Sequence, residues 1–345
     1  MRKYEILHTG LEASFGAVLK KNVFTGLIYV LEKQSTIAGP TKFERLVINE
    51  KGRKIYAKTT SFSDPPMDFC IDDRDWLYLL NFPAMDTNQL RILTPDLKWD
   101  STITFSPGLG TVSMSYDPRS KRVYVPGYSA DTPPGVPPGT AKNVLNIIDT
   151  LSHEQLPEQP PLNAPNALDK GSMAFDYQVM DSAKEILYLC DRDGTVLRFD
   201  TKALKQIDPP MYVVPPFADS LVVHELTQEL YLLNKLAGAN PTAFIRRLDA
   251  QPPFMSKAFV EVPPEIQLLL IDDRYVYGVS PEGIMLYTLG NLELAGIIPV
   301  VNGTPLGEPP RNPVVEAIHD KVGKQIHLLL TYFDNAILQT VRFLD

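Results

Sequence analysis

An all-β repeat array is the fold this sequence predicts, and three observations predict it. First, one unit recurs: a strand, a short polar turn opened by an acid, and a second strand with a central tyrosine. Its clearest copy is YDPRSKRVYVPGY, Tyr116 to Tyr128. There Asp117-Pro118 opens the turn, and Val123, Tyr124 and Val125 supply the β-branched and aromatic content of a buried strand. The second-strand residue is Tyr29, Tyr78, Tyr124, Tyr188, Tyr231, Tyr277 and finally His327. The acid ahead of it is Asp72, Asp117, Asp181, Glu225, Asp272 or Asp320, with Lys21 in that place in the first copy. Second, the spacing averages about 50 residues, the period of a propeller blade or a similar array. Third, 31 prolines in 345 residues and scarce helical periodicity favour short strands joined by stiff turns.

Taken in order, residues 2–8 form a lone strand. Copy one spans 12–59, copy two 67–106, and copy three 111–157 with a long insertion. Copies four, five and six span 172–213, 219–262 and 266–301. Copy seven, 313–344, has room for only three strands, so the orphan N-terminal strand supplies its fourth. The expected fold is a single domain over 1–345: a seven-bladed β-propeller of four-stranded antiparallel blades, closed by the N-terminal strand pairing with the last blade. Closure of that kind removes an open sheet edge. Pro-Pro pairs at 65–66, 160–161, 215–216, 263–264 and 309–310 fit as breaks between one blade's outer strand and the next blade's inner strand.

Composition bounds the function classes. A net charge of −8, with no long basic run, argues against a nucleic-acid partner. The 44% hydrophobic content supports a sizeable core. Cys70 and Cys190 fall in copies that do not touch, so two free, buried thiols are expected, which suits a reducing compartment. The start, MRKYEILHTG, lacks the apolar stretch of a signal peptide, and no segment reaches membrane-spanning length. The expectation is a cytoplasmic monomer with no membrane partner.

The pairing of MSYDPRSKRVYV with NIIDTL, and of VMDSAKEILYLCD with LRFDTKAL, resembles the seven-bladed propellers of the YVTN and quinoprotein-like type. The resemblance covers nearly the whole chain and implies a fold. It names no activity, because such propellers serve as enzymes, enzyme subunits and binding platforms. The Gly-His to Trp-Asp signature of WD40 repeats is absent, and Trp76 and Trp99 share one copy.

Candidate site residues follow from this register. Asp68, Ser113, Asp176, Gln267 and Glu316 lie near the starts of inner strands, where a propeller's channel mouth would be. The carboxylates Asp68, Asp176 and Glu316 are the candidate ligands of a divalent cation such as Ca²⁺, since hard cations take several oxygens. No other cofactor is expected. The Glu-Gly-Pro signature of propeller lactonases is absent. His224 and His319 align with apolar or aromatic positions, which favours packing over ligation, and His153 falls in a surface turn. The recurring turn acids read as caps that accept backbone N–H bonds, and the tyrosine column reads as blade core.

Long second-to-third-strand connections, at 32–42, 81–89, 128–142 and 235–242, mark one face of the fold. Function concentrates on such loops. Two readings stand. The first is a platform that binds a protein or small-molecule partner on the loop-rich face of blades one to three. The alternative is an enzyme, a metal-dependent hydrolase of the lactonase kind or a lyase or cyclase, with polar residues gathered at the channel mouth.

Overall fold

The computed structural model describes residues 3–11, 17–32, 41–48, 54–62, 66–84, 87–105, 113–129, 142–157, 160–162, 175, 177–191, 194–207, 211–212, 218–236, 241–300, 314–321, 323–331 and 336–344. They form seven antiparallel sheets and, among the described residues, no helix.

The first sheet orders Ala17–Lys21, Ile28–Glu32, Thr41–Ile48 and Lys54–Phe62. The second orders Pro66–Ile71, Leu77–Ala84, Thr87–Leu93 and Trp99–Thr104. The third begins Ser115–Asp117, Arg122–Ser129, Lys142–Asp149, and the fourth Tyr177–Asp181, Ile186–Cys190, Thr195–Asp200. The fifth orders Ala218–His224, Glu229–Leu236, Thr242–Asp249 and Ser256–Val262. The sixth orders Leu268–Ile271, Tyr275–Val279, Gly283–Thr288 and Leu294–Pro299. The seventh holds Val314–Asp320, Gln325–Thr331 and Ala336–Phe343, and the N-terminal strand Tyr4–Leu11 completes it. That strand pairs residue for residue with the last, from Tyr4 opposite Phe343 to Leu11 opposite Ala336. Seven four-membered blades with N-terminal closure make this a β-propeller.

The outer strands of the third and fourth sheets are split. Glu154–Gln155 and Pro161–Leu162 both pair with the third strand of their sheet, and Lys205–Gln206 and Met211–Tyr212 do the same in theirs. Pro160-Pro161 therefore sits within an outer strand rather than between blades. The position suits proline, which cannot donate to a ladder and is tolerated at edges and irregularities. Pro66 opens an inner strand as expected, and Pro263-Pro264 precedes one. The pairs at 215–216 and 309–310, and Pro65, lie outside the described residues.

Each first-to-second-strand turn closes on a side chain at the end of the inner strand. Asp72 accepts the N–H groups of Arg74 (2.8 Å) and Trp76 (2.9 Å). Asp117 accepts those of Arg119 and Ser120, Asp181 that of Lys184, and Asp272 those of Arg274 and Tyr275. Asp320 accepts the Gly323 N–H at 3.0 Å, and a Cβ on Gly323 would collide with its carboxylate. These are the caps expected of short acidic side chains in turns. Two assignments change. In the fifth sheet the cap is His224, whose Nδ1 accepts the Thr227 N–H at 3.2 Å, while Glu225 is exposed. In the first sheet the cap is Asn22, which accepts the Phe24 N–H at 2.9 Å; Lys21 instead pairs with Asp320.

The turns also share a left-handed residue. Lys121, Glu185, Gln228 and Lys324 take positive φ in first-to-second-strand turns, and Leu97, His153, Leu204, Phe254 and Leu292 do so in third-to-fourth-strand turns. The Asp-Thr pairs belong to the latter. Asp149 accepts the Leu151 and Ser152 N–H groups, and Asp200 those of Lys202 and Ala203. Thr150 and Thr201 donate their N–H groups to the carbonyls of Lys121 and Glu185, tying the two turns of one blade together.

The chain divides into two compact units. One comprises Met1–Pro65, Ala239–Ile245 and Ala258–Asp345; the other comprises Pro66–Gly238 and Arg246–Lys257. In the first, Tyr277, Val279, Ile284 and Leu286 of the sixth sheet pack on Val315, Ile326, Leu328 and Phe343 of the seventh. In the second, three such seams follow one another. Tyr78, Leu80 and Ile92 pack on Val123 and Ile148, Tyr124 and Ile147 on Leu187 and Phe199, and Tyr188 and Val196 on Leu230 and Leu248. All six column tyrosines are fully buried. Burial of a large apolar side chain contributes roughly 1.5–3 kcal/mol, so this column is a principal source of blade cohesion. Cys70 and Cys190 are buried free thiols.

Candidate binding site

The inner-strand polar residues form blade-to-blade bonds. Asp68, buried in the second sheet, accepts the backbone N–H of Met114 at the entry to the third, at 3.0 Å. Ser113 donates its hydroxyl to the Phe175 carbonyl at the entry to the fourth, at 2.9 Å, and accepts from Gln178 Nε2 at 3.1 Å. Gln267 Oε1 accepts the Val315 N–H at the entry to the seventh, at 3.0 Å. Three copies of one position thus do one job: each holds the next blade's inner strand by its backbone. A buried backbone group without a partner is costly, and these three side chains each supply one. Glu316 is half-buried on the first strand of the seventh sheet, opposite Leu329. Asp176 lies outside the described residues. Among the described residues, no three His, Cys, Asp or Glu side chains come close enough to share a metal ion.

A second set of bonds links successive blades at the turn ends. In the larger run of blades, the Asp73 carboxylate takes the Tyr116 hydroxyl (2.7 Å) and the Lys121 ammonium of the next blade. Burial alone raises the Asp73 pKa, but the Lys121 and Tyr116 bonds reverse this and leave it below the usual carboxylate range. Arg119 Nη1 donates to the Ala183 carbonyl at 3.2 Å, and Gln228 Nε2 to Asp181 at 2.7 Å. Tyr78 and Tyr124 direct their hydroxyls to the carbonyls of Thr150 and Thr201 in the following blade. Burial, reinforced by the Asp72 charge, raises the Tyr78 pKa well above the usual phenol value, so it stays a neutral donor. In the other unit, His319 Nδ1 lies 3.0 Å from the Ile271 carbonyl, and Lys21 pairs with Asp320.

His153, His224 and His319 are each held by protein partners. His224 is buried as a turn cap. His319 bridges two turns. His153 packs edge-on against Trp76 at 4.2 Å between ring centroids, with Asp100 Oδ2 3.4 Å from its Nδ1. The surface-turn placement of His153 is correct only for its backbone; its ring is held between the second and third blades.

The exposed large apolar side chains include a group on the turn tips. Val23 and Phe24 occupy a first-to-second-strand turn, as does Leu226, while Leu151 and Met255 occupy third-to-fourth-strand turns. Leu226 and Met255 belong to one blade, whose two turns are joined by the Ala250 N–H to Gln228 carbonyl bond. At the opposite end of the sheets, the second sheet's connection is shorter than expected: Leu77–Ala84 and Thr87–Leu93 extend the hairpin into 81–89. The centres of the other long connections, 33–40, 130–141 and 237–240, lie outside the described residues.

In fold the chain is similar to the WD40 domain of Pan2 from Neurospora crassa, with a TM-score of 0.66 and 12% identity over 98% of this chain and 95% of that one. At that identity the likeness is one of fold, and it is shared without the WD40 sequence signature. No protein-family model and no curated protein matches the sequence. The class the fold defines is a seven-bladed β-propeller. No described helix is long and apolar enough to cross a membrane.

Proposed function

We propose that this propeller is a binding platform for a protein partner, without chemistry of its own. One observation carries the reading: Asp68, Ser113 and Gln267, three of the side chains best placed to line a reactive channel mouth, bond the entry of the next blade. An enzyme needs convergent polar groups in a concave site. Here these groups are used in cohesion, which leaves recognition to the loops and turn tips. The long connections of blades one to three, above all 130–141, are the proposed contact surface, because inserted length on a rigid scaffold is where binding residues concentrate.

The test replaces 130–141 with a four-residue Gly-Ser turn and, separately, substitutes Leu226→Ser with Met255→Ser. Each purified protein is used for cross-linked affinity capture, read by mass spectrometry. The reading expects specific captured proteins to be lost with the loop replacement and kept by the turn-tip variant. The reverse pattern moves the surface to the turn face, and turnover of a lactone or ester panel that depends on Asp68 or Glu316 overturns the platform.

A further inference from the structure

The tyrosine column has one exception, His327. It is 3% exposed, and its Nδ1 lies 2.9 Å from Thr340 Oγ1, while its Nε2 is buried with no hydrogen-bond partner. Its position matters because the seventh sheet is the one that holds the N-terminal strand. His327 is paired with Ile318 on one side and with Thr340 on the other, and Thr340 is in turn paired with Leu7 of that strand.

The charged surroundings offer the ring no uncommitted counter-ion. Lys21, from the first blade's inner strand, and His319 and Asp320, from the first strand of the seventh sheet, all act on the ring. Asp320 is the nearby carboxylate that would welcome an imidazolium, but it already takes the Lys21 ammonium and the Gly323 N–H. Beyond His319 stand Tyr277 and Asp272 of the sixth sheet, bonded to each other. On the closing strand, Glu5 is bonded to Arg342 at 2.9 Å. A proton added to His327 would therefore place a positive charge in a buried site, beside a cation and with no free acceptor at Nε2. A phenol in the same place has an ordinary pKa far above the range in which an imidazole titrates.

We propose that the seventh blade is an acid-sensitive clasp: protonation of His327 loosens its sheet and releases the N-terminal closing strand before the other blades open. The supporting shift agrees in direction. Burial, then Lys21, lowers the His327 pKa from 6.5 to about 4 against the opposing pull of Asp320. A histidine held neutral in the folded state stabilises fully above its unfolded value. That contribution is lost as pH falls from 6.5 towards 4, because the opened chain binds the proton first. Between pH 7.5 and pH 5 the opening equilibrium should rise about 30-fold if opening frees the ring completely.

Hydrogen exchange by mass spectrometry on the intact chain tests this, with rates corrected for intrinsic pH dependence. Peptides covering Tyr4–Leu11 and Ala336–Phe343 are followed at pH 7.5 and 5, with Tyr275–Val279 as internal control. The clasp predicts a loss of protection of about 30-fold confined to the first two peptides. It also predicts that His327→Gln and His327→Tyr abolish the pH dependence. Equal protection at both pH values in the unmodified protein overturns the proposal whatever the variants do. So does an acid loss that persists in a folded His327→Gln protein, or one spread evenly over all three peptides.

Discussion

His224 and Glu225 show how much one position decides. The two are adjacent, yet one is a buried cap whose imidazole takes the Thr227 N–H and the other is an exposed side chain. His224→Ala should destabilise the protein by about 1–3 kcal/mol, the cost of leaving a turn N–H without its partner and a space beside it. Glu225→Ala should change stability by less than about 0.5 kcal/mol. Urea denaturation of the pair checks this. The carboxylates give a further residue-scale expectation. Burial pushes Glu229, Asp272 and Asp320 up, but bonds from Arg247, Tyr277 and Lys21 respectively more than offset it and hold all three below the ordinary range. Their stabilisation is therefore complete above the unfolded carboxylate values and is lost only below about pH 4. The His327 contribution is lost between about pH 6.5 and 4. An acid titration of melting temperature should show two phases, and His327→Gln should remove the upper one.

At the level of the turn and the strand, the repeat was legible because it is written in side chains that only one arrangement satisfies. A buried tyrosine column and a side-chain-capped turn recur, and the third and fourth blades add an Asp-Thr corner; the sequence pattern places the tyrosines and five of the seven caps. In the first and fifth blades the cap is not an acid, and it lies one residue after Lys21 and one before Glu225 respectively. Distance finds the two that acidity misses: Asn22, Asp117, Asp181, His224 and Asp320 each lie seven residues ahead of their column residue, while Asp72 and Asp272 lie six and five ahead. The bonding of Asp68, Ser113 and Gln267 was not legible. A polar side chain at an inner-strand start has the same sequence whether it binds a ligand or the next blade's backbone, and only the partner's position distinguishes them. The turns carry their own prediction. Glu185 has φ of 58°, and its carbonyl, not its carboxylate, receives the Thr201 N–H. A left-handed backbone costs most side chains about 1–2 kcal/mol and asparagine less. Glu185→Asn should therefore raise stability by up to about 1 kcal/mol, read as a higher denaturation midpoint at unchanged slope.

For the molecule as a whole, closure rests on the pairing of Tyr4–Leu11 with Ala336–Phe343. Deleting residues 1–11 would leave Ala336–Phe343 as an open edge in a sheet with an apolar core, the condition that invites strand addition from other copies. The truncated chain should melt earlier and form higher-order species in light scattering, while restoring the strand as a separate peptide should reverse both. The functional account rests on a broader claim, that the polar inner-strand positions hold blades together. Its most direct test is equilibrium urea unfolding of Asp68→Ala and Gln267→Ala. The account predicts that each lowers stability by about 1–3 kcal/mol, since Met114 and Val315 would lose the partners of their N–H groups. Two variants as stable as the unmodified protein would contradict it and return these side chains to the channel mouth as candidates for chemistry.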